Sequence, residues 1–229
     1  MIVEEPPYDL IFLFADQDAE KLFITLLERG QERGCLRNLR VRSLRDTRKD
    51  SMSLDPTRYL SPFFSYENCK FLIAWDNHGS GREKLEFETI RNKVADSFAA
   101  RGISKENVGV AIFYPELEHV FVPLWERVKQ IISNKRNTTP PPDSDILRRS
   151  AKLSLAVKRA NITDFDTLLD HYPKEAFDAL VSLVNLRHSS QLYADIAKDI
   201  SLRTLKKDET VRFIDEFLQT HFPSAKKIL

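Results

Sequence analysis

Leu10-Ile11-Phe12-Leu13-Phe14-Ala15-Asp16-Gln17-Asp18-Ala19-Glu20 is the stretch whose reading decides the fold. Its apolar run is continuous, short, and ends abruptly in acid. A short segment apolar at every position predicts a strand covered on both faces rather than a half-exposed one. The aspartates that follow suit a helix cap, and Ala19, Leu22, Phe23, Leu26 and Leu27 recur at helical spacing. Gly30 and Gly34 punctuate the helix end. Strand, acidic turn and helix together open a parallel α/β unit.

The same pattern returns further along. Phe71 to Trp75 is wholly apolar and breaks at Asp76-Asn77-His78-Gly79-Ser80-Gly81; Phe87, Ile90, Val94 and Phe98 then line a helix that stops at Gly102. Val108 to Tyr114 predicts another strand, ended by Pro115. A buried stripe of Val120, Phe121, Leu124, Val128 and Ile131 follows, in which Pro123 predicts a kink or a late helix start. Leu39 to Leu44 carries alternating arginines and reads as a more exposed strand near an edge. Arg45 to Pro62 reads as loop. Helices between strands predict a mostly parallel sheet with helices on both faces over residues 1–132.

Ser133 to Asp143 has no apolar side chain other than its three consecutive prolines, which predicts a linker over 133–144. From 145 to 229 the pattern is helical: Leu147 to Ala160, Lys174 to Leu186 opening after Pro173, Gln191 to Ile200, and Glu209 to Thr220 capped by Asp208.

The totals set bounds. With 229 residues, 42% of them hydrophobic, the chain can bury a core without staples. A net charge of only +1 makes any basic surface local. Cys35 and Cys69 show no metal-ligand spacing and read as reduced thiols. The N-terminus lacks the basic start of a secretory signal, and no apolar run is long enough to span a bilayer. The expectation is a cytoplasmic protein with no membrane association.

Acidic residues gather where strands end. Asp16, Asp18 and Glu20 follow the first strand, Asp76 and His78 the third, Glu116 and Glu118 the fourth. In an open parallel sheet the carboxyl ends of the strands share one rim, where ligands bind. Convergent carboxylates repel and call for a cation, and hard oxygen donors suit Mg2+ or Mn2+. Taken singly, the same residues serve as helix caps and turn formers.

Two further features bear on function. Gly79, Ser80 and Gly81 precede a helix and offer backbone N–H groups to a phosphate, or form a plain turn. Arg40 and Arg42, extended by Arg45 and Arg48, make a basic track suited to a nucleic-acid backbone, or an edge strand protected by charge.

These residues resemble a known family. The Leu10–Ala15 strand with its acidic turn and Glu20, the Phe71–Trp75 strand with Asp76, and Tyr114-Pro115-Glu116-Leu117-Glu118-His119-Val120 are similar to small stand-alone Toprim-related proteins of bacterial defence islands. More closely, Leu26-Leu27-Glu28-Arg29-Gly30-Gln31 and the segment from Ala74 to Glu83 resemble an uncharacterised component of methylation-associated anti-phage defence operons. The likeness covers roughly residues 10–130 and, less sharply, Ala194 to Pro223.

The resemblance implies Mg2+- or Mn2+-dependent phosphodiester chemistry. Asp16 or Glu20 would move the proton; Asp76, His78, Glu116 and Glu118 would hold the ion; other proteins of the same operon, and DNA, would be partners. Two positions depart from the family pattern: Asp16 stands where a glutamate would be, and His78 where a second aspartate would be. Imidazole is a poor Mg2+ ligand. A nuclease, a non-catalytic recognition or scaffold subunit with a degenerate site, and a nucleotide sensor using Gly79 to Gly81 all follow as expectations.

Overall fold

A computed structural model of the chain describes residues 7–46, 55–66 and 68–224. The first half alternates strand and helix: β1 (Leu10–Phe14), α1 (Gln17–Glu32), β2 (Val41–Arg45), α2 (Thr57–Leu60), β3 (Lys70–Asp76), α3 (Phe87–Ala99), β4 (Val108–Phe113) and α4 (Trp125–Asn134). The second half is helical: α5 (Asp143–Leu153), α6 (Leu155–Ala160), α7 (Phe165–His171), α8 (Pro173–Leu183), α9 (Ser190–Asp199), α10 (Leu202–Leu205) and α11 (Glu209–His221). The α/β class with a parallel sheet and a helical C-terminal region is as the sequence predicts.

The four strands among the described residues are all parallel, in the order β2-β1-β3-β4. The chain leaves β1 toward β2 on one side and returns to β3 on the other. Right-handed crossovers running in opposite directions must place their helices on opposite faces. Accordingly α1 packs with Phe12, Phe14, Leu72 and Phe113, whereas α3 packs with Ile11, Leu13, Ile73 and Ile112. Both faces are covered, which is why β1 is apolar throughout and completely buried. β2 is the half-exposed edge, where its arginines discourage pairing with another chain.

The other edge, β4, is covered by the C-terminal helix. The Val110 carbonyl accepts from Arg91 Nε at 3.1 Å, and the Ile112 carbonyl from Thr210 Oγ1 at 2.7 Å. Gly109 lets Phe217 come close: a Cβ there would stand 2.8 Å from Leu72 Cδ1 and 2.9 Å from the Phe217 ring. Meanwhile α9 packs along α1, and α8 packs on the turn after β4. Phe121, Phe177 and Tyr193 cluster with ring centroids 5.1–5.8 Å apart, so one apolar core runs from the sheet into the helical region.

Several local readings are corrected. The expected helix from Leu147 to Ala160 is two, divided at Ser154, whose hydroxyl caps α6 instead of continuing α5. The late helix start expected at Pro123 is found: Leu117–Leu124 forms 3-10 turns and α4 begins at Trp125, because Pro123 cannot donate within a helix. Helices α2, α7 and α10 fall in stretches where no periodicity announced them; α7 and α10 start at the caps Asp164 and Ser201. The proline segment is bridged by Lys129, whose Nζ lies 2.7 Å from both Glu126 and Asp143. Among the described residues no helix is long and apolar enough to cross a membrane.

Candidate functional site

The strand order reverses beside β1, so the crevice expected to bind ligands opens between the carboxyl ends of β1 and β3. Register places Asp16 and Asp76 there. Phe14 pairs with Ala74, and the Ala15 N–H donates to the Ala74 carbonyl at 3.0 Å. The loop after β4 is drawn to the same rim: Asn77 N–H donates to the Phe113 carbonyl at 2.8 Å and His78 N–H to the Pro115 carbonyl at 3.1 Å. Asp16, Asp76, Glu116 and Glu118 thus lie toward one rim, near enough for the other three charges to act on Asp76.

Their crowding is legible in Asp76. Burial, then the charges of Glu118, Asp16 and Glu116, push its carboxyl well above the usual range, with Lys174 opposing. Glu118 is 4% exposed, and burial raises it to about 7, although the Tyr193 hydroxyl and Lys174 favour its charged form. Both shifts favour the protonated form, which lessens the repulsion at the rim.

Each expected site carboxylate also has a partner within the chain. Asp16 caps α1, accepting from Ala19 N–H at 2.9 Å. Asp18 lies 3.0 Å from His188 Nε2. Glu20 pairs with Arg45 Nε at 2.9 Å. Asp76 Oδ1 accepts from Leu117 N–H at 2.9 Å. Glu116 lies 3.3 Å from the exposed His78 Nδ1. Glu118 accepts from the Tyr193 hydroxyl.

Lys174, Asp178, His188 and Tyr193 come from segments whose pattern spoke only of helices, turns or core. Lys174 stands exposed in the first turn of α8, with no carboxylate within 4.0 Å among the described residues. Partial desolvation of its ammonium by the neighbouring protein opposes the charge, yet Glu118, Glu116 and Asp76 raise its pKa. His188 sits between α8 and α9, joined to Asp178 at 2.7 Å as well as to Asp18. Tyr193 reaches in from α9. Only the helical periodicity around Tyr193 hinted that it faces inward.

The glycine turn is satisfied internally. Gly79 (φ +79) and Gly81 (φ +71) adopt left-handed backbone that favours glycine, and both N–H groups point to Glu83 Oε1, at 2.9 and 3.4 Å. Hydrogen bonds from its own backbone N–H, then from those of Gly81 and Gly79, hold the Glu83 carboxyl below its usual range. Ser80 is buried, and its Oγ accepts from Arg82 N–H at 3.1 Å. A carboxylate of the chain takes the donors that the phosphate reading assigned to a ligand.

The basic track is not assembled as expected. Arg40 and Arg37 converge on Asp9 at 3.4 and 3.0 Å, and Arg45 is bound to Glu20. Arg42 is exposed without a carboxylate partner among the described residues. Arg48 lies outside the described residues.

Among the described residues no group of three or more His, Cys, Asp or Glu side chains is arranged to hold a metal ion. The donor set accounts for this: carboxylates that converge here are tied to backbone N–H, guanidinium, imidazole or phenol. No family model, curated protein or solved structure matches the chain. What fold and site define is a class: a parallel α/β protein whose switch-point rim is acidic and internally partnered.

Proposed function

We propose that the chain is a non-catalytic recognition or scaffold subunit of a bacterial anti-phage defence system, with a degenerate Toprim-like site, acting with proteins of the same operon. The defence setting rests on the resemblance of the Ala74–Glu83 and Tyr114–Val120 segments. The observation that carries the non-catalytic reading is the pairing of each proposed site carboxylate inside the chain, above all Glu20 with Arg45 and Glu118 with Tyr193. A general base held by a guanidinium and a metal ligand held by a phenol are each poorly free for their tasks.

A Mg2+- or Mn2+-dependent nuclease is the second reading, favoured by the convergence of Asp16, Asp76 and Glu116 at the switch point. Calorimetric titration with Mg2+ and Mn2+, alongside incubation with single- and double-stranded DNA, separates the two. The scaffold reading expects no saturable ion binding, no cleavage, and co-purification with operon partners. Cleavage abolished by Asp76→Ala would overturn it in favour of the nuclease.

A further inference from the structure

On the sheet face that α1 shares with the C-terminal helices, one region is left open. Helix α1 packs against α9 and α11 packs along β4, and between α1 and α11 lies a cavity of 810 Å³. Its floor is hydrocarbon: Phe12 of β1, Phe23 and Leu26 of α1, Ile214 and Leu218 of α11. The volume falls in the range of small-molecule sites, whose walls are mostly apolar with a few polar groups that orient the ligand.

The rim supplies those polar groups, and they are of one sign in excess. Among the described residues Arg29, Arg33, Lys198, Arg203 and Lys206 share the lining with the acids Asp199 and Asp215 alone. Two of the cations are committed. Arg29 donates to the carbonyls of Ala197 and Ile200, closing the end of α9, and Lys206 pairs with Asp215 at 2.7 Å. Among the described residues Lys198 has only a longer contact with Asp195, at 3.6 Å. Arg33 and Arg203 are exposed, with no carboxylate within ion-pair distance among the described residues. An apolar hollow beneath uncommitted guanidiniums complements a molecule with a hydrocarbon body and an anionic head, since guanidinium binds carboxylate and phosphate in a two-pronged fashion.

We propose that the cavity between α1 and α11 is a binding site for a small amphipathic anion, an acyl-type chain with a carboxylate or phosphate head held by Arg33 and Arg203. It lies away from the acidic rim and does not depend on the reading of that rim.

Cys35 lines the same cavity and is half-buried, whereas burial pushes the Cys69 thiol up to about 11. Iodoacetamide labelling of Cys35 at pH 8, read by peptide mass spectrometry, therefore reports on occupancy. Dodecanoate, dodecyl phosphate and dodecan-1-ol are the probes, each kept below its aggregation threshold. Either anion should slow labelling saturably, about tenfold more effectively than the alcohol, given the strength of charge-assisted hydrogen bonds. The better anion identifies the head group.

Arg33→Glu with Arg203→Glu should erase the anions' advantage while leaving the alcohol's effect unchanged. Ile214→Trp should fill the hollow and abolish protection by all three. Circular dichroism and melting temperature confirm that the variants fold, and Arg203→Gln replaces the reversal if the doubly substituted chain does not. No protection by any probe, equal protection by alcohol and anions, or undiminished protection in the folded arginine variants would overturn the proposal.

Discussion

The hydroxyl of Tyr193, on α9, donates to Oε1 of Glu118, on the turn after β4, and both side chains are buried. The two residues are 75 positions apart, and their bond fastens the helical region to the rim of the sheet. Hydrogen bonding favours the ionised carboxylate, and burial disfavours it more strongly, which leaves Glu118 titrating near neutrality.

Tyr193→Phe keeps the ring packed against Phe121 and Phe177 and removes only the donor. An acceptor stranded in the interior costs about 1–3 kcal/mol. Urea denaturation should show a lower midpoint with an unchanged slope. An unchanged midpoint would mean that the bond contributes nothing net.

Stability should also fall with rising pH because of Glu118. Its pKa is raised from 4.5 to about 7 on folding, so the native state holds a proton that the unfolded chain has already released. The contribution is fully present below about pH 4.5, declines through the interval, and is gone above about pH 7. Asp76, also raised, adds to the trend. Glu118→Gln should flatten the curve between pH 5 and 7 and stabilise the protein at pH 8. A wild-type curve that rises over this range would refute the assignment.

His188 acts over a higher window. Hydrogen bonds to Asp178 and then Asp18 raise it from 6.5 to about 10, so it is charged at neutral pH. Its contribution is present below about pH 6.5 and lost as pH climbs toward 10. His188→Gln should lower the melting temperature at pH 7 and remove the decline above it. Hydrogen exchange should quicken at the α1 start and along α8 and α9, which the imidazole links. Equal exchange in the variant would assign the residue no docking role.

Gly109→Ala tests how tightly α11 seats on β4. Alanine is normally better than glycine inside a strand. Here its Cβ would meet Leu72 and Phe217 at under 3.0 Å, and overpacking costs about 1–3 kcal/mol. The variant should melt lower, and adding Phe217→Leu should recover part of the loss. A more stable Gly109→Ala protein would show that the helix yields without cost.

Strand and helix positions were legible because periodicity is local. The run from Leu10 to Ala15 needs no knowledge of its neighbours to be read as a strand with two covered faces, and the helix with Leu22 and Leu26 is likewise written in its own spacing. That Asp16, Asp76, Glu116 and Glu118 lie toward one rim was legible as well, since a parallel sheet puts all its strand ends on one side. The short α7 and α10 were not, because a single turn or two carries too little period to stand out.

The amino-acid sequence by itself therefore determined the class of fold and the rim on which the acids gather. Only the tertiary structure decided what those acids do. Glu20 faces Arg45, Asp18 faces His188 and Glu118 faces Tyr193 because strand order, register and the docking of a distant helical segment bring them within hydrogen-bond reach. A contact between residues 170 positions apart leaves no trace in local pattern, and it is such contacts that settle whether a carboxylate is offered to a ligand or consumed within the chain.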